Sequence, residues 1–303
     1  MQIRSKISLL AGSVILLFGC TTPQQPESAE ATAEVVAPTL QEAWRLETGL
    51  DRPESAIYDA ERAVIYVTNL VGAGDAMDGI GYIAKVSPTG EMLVQDWITG
   101  LNAPKGIALG EDRLWASDIN ALVEIDLNAG EIVQRHEVSG DAYLNDVTVH
   151  PDGSIFVTDS RFSKIYRFAN GTLSVWLEND QIQMPNGAHV IGEELVVAAG
   201  DGTTDNPGTA RYFQAISFAD QAIRTLDASA PDGALDAVEP DEKGGVFTTD
   251  WASGRLMYFH EGSGSTLLQQ LGQGAADVDY IAADRMLYVP VMQEGQLIAY
   301  HVE

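Results

Sequence analysis

One short unit dominates this chain. Tyr143 to Phe168, YLNDVTVHPDGSIFVTDSRFSKIYRF, contains three short strands and two turns. Val147 and Val149 alternate with Thr148 and His150, a period of two that suits a half-buried strand. Pro151-Asp152-Gly153 then makes a turn, because proline presets φ and glycine accepts a positive one. Ile155–Thr158 is the second strand, ending at Asp159, and Lys164–Phe168 the third. The unit recurs six times, with first strands starting near Glu54, Lys105, Asn145, Asn186, Asp236 and Asp277. Steps of 40 to 51 residues between these anchors match the period of four-stranded propeller blades. The expected fold class is all-β, a six-bladed β-propeller over residues 43–303.

Closure follows from counting strands. The sixth unit supplies three strands before the sequence stops at Glu303, and Ala43–Glu47 just ahead of the first unit is unused. The last blade is therefore expected to take its fourth strand from the N-terminal side, which leaves no exposed sheet edge. The connections between second and third strands then share one face of the ring. Two of them are long and rich in Gly and Asp, Leu70–Gly81 and Ala199–Thr209. Loops of that kind over one face are often functional, and equally often plain surface.

Upstream of the repeats the chain changes character. Arg4 and Lys6 precede an apolar run, Ile7–Phe18, shorter than the roughly 20 residues that span a bilayer. Leu17-Phe18-Gly19-Cys20 resembles a bacterial lipoprotein signal (residues 1–19), which implies lipidation at Cys20. An ordinary secretory signal is the alternative. Thr21 after the cysteine resembles the class sorted to the outer membrane, here on its periplasmic side. Residues 20–42, rich in Thr, Pro, Gln, Glu and Ala, read as a flexible tether. Cys20 is the single cysteine, so no internal disulfide can form. The formal charge of −27 argues against nucleic acid and anionic lipid as partners, leaving membrane attachment to the lipid alone.

Chemistry is expected where the inner strands begin, because those heads converge on the axis. They are Glu54, Lys105, Asn145, Asn186, Asp236 and Asp277. Carboxylates crowded together raise each other's pKa unless a cation neutralises them. Carboxylates with amide carbonyls are hard oxygen donors, the set Ca²⁺ takes at about 2.3–2.6 Å.

These segments resemble the SMP-30/gluconolactonase/LRE family of six-bladed propellers, which has relatives among organophosphatases and paraoxonases. The resemblance spans roughly Trp44 to Glu303 and rests on four short motifs in order. Pro53-Glu54 with Ala56-Ile57-Tyr58-Asp59 resembles the segment giving a glutamate ligand. Leu144-Asn145-Asp146 resembles the one whose asparagine faces metal and substrate, and Pro185-Asn186-Gly187 the one supplying a second asparagine ligand. The resemblance also implies a blade-five aspartate serving as ligand and general base. Asp236 lies 14 residues before Asp250, the offset of Asn145 from Asp159, and Leu235-Asp236-Ala237-Val238 matches Leu144-Asn145-Asp146-Val147. Asp232 of the Asp232-Gly233 pair is the reserve candidate.

The implied metal set is thus Glu54, Asn145, Asn186 and Asp236, holding Ca²⁺ or another divalent cation such as Mg²⁺, Mn²⁺ or Zn²⁺. Asp236 and Asn145 are the implied catalytic residues, acting on a small lactone or ester. One departure is plain: family members acting on sugar acids carry an arginine shortly before the blade-three asparagine, where this chain has Asp141-Ala142-Tyr143. Lys105 could supply that charge or pair with Glu54 or Asp277. Asp118, Asp159 and Asp250 end second strands, where capping of nearby N–H groups is expected. His189 and the tryptophans are expected in the packing, and Asp75, Asp78, Asp201 and Asp205 as solvated loop acids. The competing class is a non-catalytic tethered propeller that binds a ligand or protein.

Overall fold

The structure is a computed structural model that describes residues 36–200, 210–226 and 233–303. Cys20, the signal segment, residues 20–35 of the tether, most of the second long loop and Asp232 lie outside the described residues.

Six four-stranded antiparallel sheets make the blades of a β-propeller. The first strand, β1 (Leu40–Leu46), is the outer strand of the last blade. Blade one is β2 (Pro53–Asp59) to β5 (Met92–Leu101), and blade two β6 (Pro104–Leu109) to β9 (Glu131–Glu137). Blade three is β10 (Leu144–Val149), β11 (Ile155–Asp159), β12 (Lys164–Ala169) and β13 (Thr172–Glu178). Blade four runs from β14 (Ala188–Ile191) to β17 (Ile223–Leu226), and blade five from β18 (Glu239–Pro240) to β21 (Gly264–Gln270). Blade six joins β22 (Asp279–Ile281), β23 (Met286–Val291) and β24 (Gln296–Val302) to β1.

The closing strand pairs antiparallel with β24, from Leu40 opposite Val302 to Leu46 opposite Leu297. It begins three residues before Ala43, where closure was expected to start. Thr39 and Glu303 exchange backbone hydrogen bonds of 3.1 and 2.9 Å beyond its end.

Packing lies between neighbouring blades, because each sheet has two apolar faces to cover. Tyr66, Ile83 and Leu101 of blade one meet Ile107, Leu114 and Val123 of blade two, all buried. Five further clusters repeat this arrangement around the ring. The outer strands alternate less cleanly and leave Leu93, Val133, Val175 and Leu267 exposed.

The inner strands do not start as regular ladders. In blades one to three the register shifts between Pro53 and Ala56, Pro104 and Ile107, and Leu144 and Val147. Glu54, Lys105 and Asn145 sit inside these bulges, which re-aim side chains at the end of a strand. In blades four to six regular pairing begins only at Ala188, Glu239 and Asp279, after the anchor residue.

Candidate functional site

Each bulge is held by two side chains of the second strand. The terminal Asp or Asn accepts the N–H groups that lead into the inner strand. Asp118 takes those of Asn102 and Ala103 at 2.9 and 2.8 Å, Asp159 that of Tyr143 at 3.2 Å, and Asp250 that of Ala234 at 3.0 Å. Asn69 does the same for Asp51 at 2.9 Å. These acids are caps, as the sequence pattern suggested.

A hydroxyl one residue earlier links neighbouring blades. Thr158 accepts the Asp146 N–H at 2.9 Å and donates to the Asn186 carbonyl at 2.8 Å. Thr249 accepts from Ala237 at 3.2 Å and donates to Ala276 at 2.9 Å, while Ser117 donates to the Asn145 carbonyl. The hydroxyl of one blade thereby fixes the inner-strand head of the next. This inter-blade staple was not read from the sequence, although Ser or Thr at Ser117, Thr158 and Thr249 is a visible signal. Thr68 at the equivalent place in blade one bonds Ser55 of its own blade.

Five of the six anchors line one cavity of about 170 Å³ at the channel mouth: Glu54, Lys105, Asn145, Asn186 and Asp236. The sixth, Asp277, does not. It accepts a 2.7 Å bond from Ser55 Oγ and lines a second cavity of about 210 Å³ with Asp146, His189, Glu239 and Asp279. The expected convergence of all six heads is corrected to five. Most carboxylates of the second cavity are engaged by a neighbouring blade. Asp146 accepts Ala188 N at 2.6 Å, Asp279 accepts Tyr58 N at 2.7 Å, and Glu239 pairs with His189 at 3.3 Å. Their role is to clasp inner strands together.

At the mouth, two amides are tied by their nitrogens. Asn145 Nδ2 donates to Ser160 Oγ at 2.8 Å, which donates to the Pro185 carbonyl at 2.8 Å. Asn186 Nδ2 points to the Leu235 carbonyl at 3.4 Å. Asn186 Oδ1 and Glu54 Oε2 are buried without a hydrogen-bond partner among the described residues. Asp236 is held by its own N–H on Thr249 O at 3.0 Å, and Leu235 bridges Asp250 as Leu144 pairs with Asp159.

Burial pushes the Glu54 carboxyl well above its ordinary range, and the Asp236 charge adds to this while Lys105 opposes it. Burial also raises Asp236 to about 8, with Asp277 adding to the rise and a hydrogen bond from Asn186 opposing it. These are the shifts of close carboxylates that lack a neutralising charge. Among the described residues no three His, Cys, Asp or Glu side chains form a metal-binding group. The mouth offers instead two carboxylates and two amide oxygens. Orphaned oxygens, a hard donor set and unbalanced negative charge fit an oxygen-preferring divalent cation.

Lys105 is 2% exposed, and burial lowers its pKa to about 8 against the pull of Glu54 and Asp118. It forms no ion pair with Glu54 or Asp277 among the described residues, contrary to the pairing considered from sequence. Its Nζ donates to the Ala103 carbonyl at 3.0 Å and lies 4.4 Å from the centre of the Tyr143 ring. Arg161 stacks on the same ring at 4.0 Å and pairs with Asp75 at 3.3 Å. Cations absent from the stretch before Asn145 thus arrive from other parts of the ring. Arg52, Tyr143, Trp251 and Met292 also line the cavity, and sequence reading assigned none of them to it. Arg52 and Tyr143 were within reach, each lying two residues before an anchor. The loop Leu70–Gly81 contributes Leu70 and Gly74, and a Cβ on Gly74 would come within 2.9 Å of the Tyr143 hydroxyl.

Comparison with solved structures supports the fold. A gluconolactonase, provisionally assigned as such by a structural-genomics consortium, is similar at 15% identity with a TM-score of 0.65, over 88% of this chain and 92% of that one. A catalytically inactive virginiamycin B lyase from Staphylococcus aureus, with quinupristin, is similar at 13% identity and a TM-score of 0.59, over 87% and 99%. A streptogramin B lyase is similar at 14% identity and a TM-score of 0.58, over 88% and 98%. No protein-family model and no curated protein matches the sequence.

Proposed function

We propose that this propeller is a divalent-cation-dependent hydrolase of a small lactone or ester. The observation that supports it is the meeting of Glu54, Asn145, Asn186 and Asp236 at one cavity, with the buried oxygens of Glu54 and Asn186 unpartnered. Those four residues would hold the cation. When bound, it supplies Lewis-acid polarisation of the substrate carbonyl.

The rest of the chemistry belongs to the chain. Asp236 takes a proton from the attacking water, a contribution typically worth about 10²–10⁴-fold in rate. It serves as a base only when ionised, so the positive charge around it is part of the mechanism. Asn145 orients the substrate, its amide fixed by Ser160 and Pro185. Leu70, Trp251 and Met292 make the apolar wall against which the carbon skeleton of the substrate would pack. A cavity of about 170 Å³ suits a substrate of few atoms, below the roughly 300–1,000 Å³ of drug-sized pockets.

The test is a panel of lactones and aryl esters, with and without chelator, beside Asp236→Ala. Turnover should need both the cation and the aspartate, and activity that survives both losses ends this reading. A chain that binds Ca²⁺ but turns over nothing would be the ligand-binding propeller instead. We further infer that Cys20 carries lipid and holds the ring at the outer membrane. Metabolic labelling with a fatty-acid probe, lost in Cys20→Ala, checks this.

A further inference from the structure

Two cations, Arg52 and Lys105, line the mouth beside its two carboxylates, Glu54 and Asp236. Arg52 lies two residues before Glu54, with its backbone in the left-handed region at φ 57°. It donates to the Gly72 carbonyl and approaches Met292 Sδ at 3.6 Å, and its Nε is buried without a hydrogen-bond partner. Guanidinium cannot lose its proton in a protein, so this charge is permanent. Neither Arg52 nor Lys105 has an ion pair within 4.0 Å among the described residues, whereas Arg161 has Asp75. Asp118, the other acid near Lys105, is already paired with Arg135 at 3.0 Å. A divalent cation between Glu54 and Asp236 would balance those carboxylates. Arg52 and Lys105 would then face the same cavity with no counter-charge.

We propose that Arg52 and Lys105 form an anion subsite, and that the substrate carries a carboxylate beside its lactone or ester bond. This rests on the hydrolase reading above. A carboxylate fits better than a phosphate group. The cavity measures only about 170 Å³, which suits a planar two-oxygen group better than a tetrahedral phosphate group. The planar fork of arginine also matches a carboxylate.

The experiment uses the calcium-loaded protein and two γ-lactones, one bearing a ring carboxylate and the other the same ring as its carboxamide. The carboxylate should be preferred in kcat/KM by roughly ten- to a hundredfold, the scale of one charge-assisted contact. Arg52→Gln should bring that ratio close to one, and Arg52→Lys should keep part of it. Calorimetry with glutarate gives a readout without turnover. Glutarate should bind the unaltered protein more tightly than glutaramide does, and Arg52→Gln should erase the difference. Equal handling of carboxylate and amide by the unaltered protein overturns the subsite, as does an unchanged ratio in Arg52→Gln. Glutarate binding through Arg52 with neither lactone hydrolysed would sustain the subsite and sink the hydrolase.

Discussion

Gly187 lies against the backbone carbonyl of Asp236 so tightly that a Cβ at this position would overlap the oxygen. The blade-four and blade-five inner strands touch here, one residue beyond Asn186. The Asn186-Gly187 pair therefore has two jobs: one residue faces the mouth, and the next lets Asp236 reach it. Gly187→Ala should destabilise the fold by at least the roughly 1–3 kcal/mol of an overpacked core. It should also weaken Ca²⁺ binding, because the strand carrying Asp236 must move. Asn186→Ala should weaken Ca²⁺ binding with a smaller effect on stability. Thermal melts and calcium titrations of both variants check this.

The acidic mouth predicts how metal-free protein responds to pH. An unperturbed aspartate titrates near 3.9, and burial first, with Asp277 second, takes Asp236 to about 8. Between those values the folded chain holds a proton that the unfolded chain has released. Its stability therefore falls as pH rises from about 4 to 8. Asp277, raised to about 7 mainly by burial, acts in the same direction. Chelator-treated protein should melt at a lower temperature at pH 8 than at pH 5. Saturating Ca²⁺ should raise the pH 8 melt more than the pH 5 melt, and Asp236→Asn should reduce that difference.

The ring and its closing strand were legible because period and alternation are local signals. The placement of Asp236 was legible for the same reason, since matching Leu235 to Leu144 fixes the register on either side of it. Arg52, Trp251 and Met292 were not. They reach the mouth from the approach to blade one and from loops after the second strands of blades five and six. Nothing in a strand repeat says which loop residue turns toward the axis. Asp277 marks the opposite limit. Ala275 bridges Val291 as Leu144 pairs with Asp159 and Pro53 with Asn69, so Ala276 is the counterpart of Glu54. Asp277, one residue on, corresponds to Asp146 and faces the second cavity with it.

Deleting the last strand tests closure. Leu297, Ile298, Ala299 and Tyr300 are all buried, and β24 bonds both β1 and β23. Each large apolar side chain contributes about 1.5–3 kcal/mol by burial. Losing three of them, with two ladders, approaches the roughly 5–15 kcal/mol total of an ordinary domain. A chain ending at Gln296 should show no cooperative melt by circular dichroism. A sharp transition near that of the full chain would mean that the ring stands without its clasp.

Asp159 separates structural from catalytic acids near the mouth. It is fully buried, and its Oδ1 accepts Tyr143, Arg161 and Phe162 N–H groups at 3.2, 3.1 and 3.3 Å. Its Oδ2 has no partner among the described residues, and burial lifts its pKa above the ordinary range. Such a group is needed as an acceptor, not as a charge. Asp159→Asn keeps the acceptor and should change stability by under about 1 kcal/mol, whereas Asp159→Ala strands three donors and should cost about 1–3 kcal/mol in urea unfolding. A catalytic carboxylate would show the opposite pattern, because the amide could not take a proton and turnover would collapse in both. Since Tyr143 and Arg161 hang from this cap, Asp159→Ala should in addition loosen the cation–ring stack beside Lys105, detectable as a change in tyrosine fluorescence that Asp159→Asn does not share.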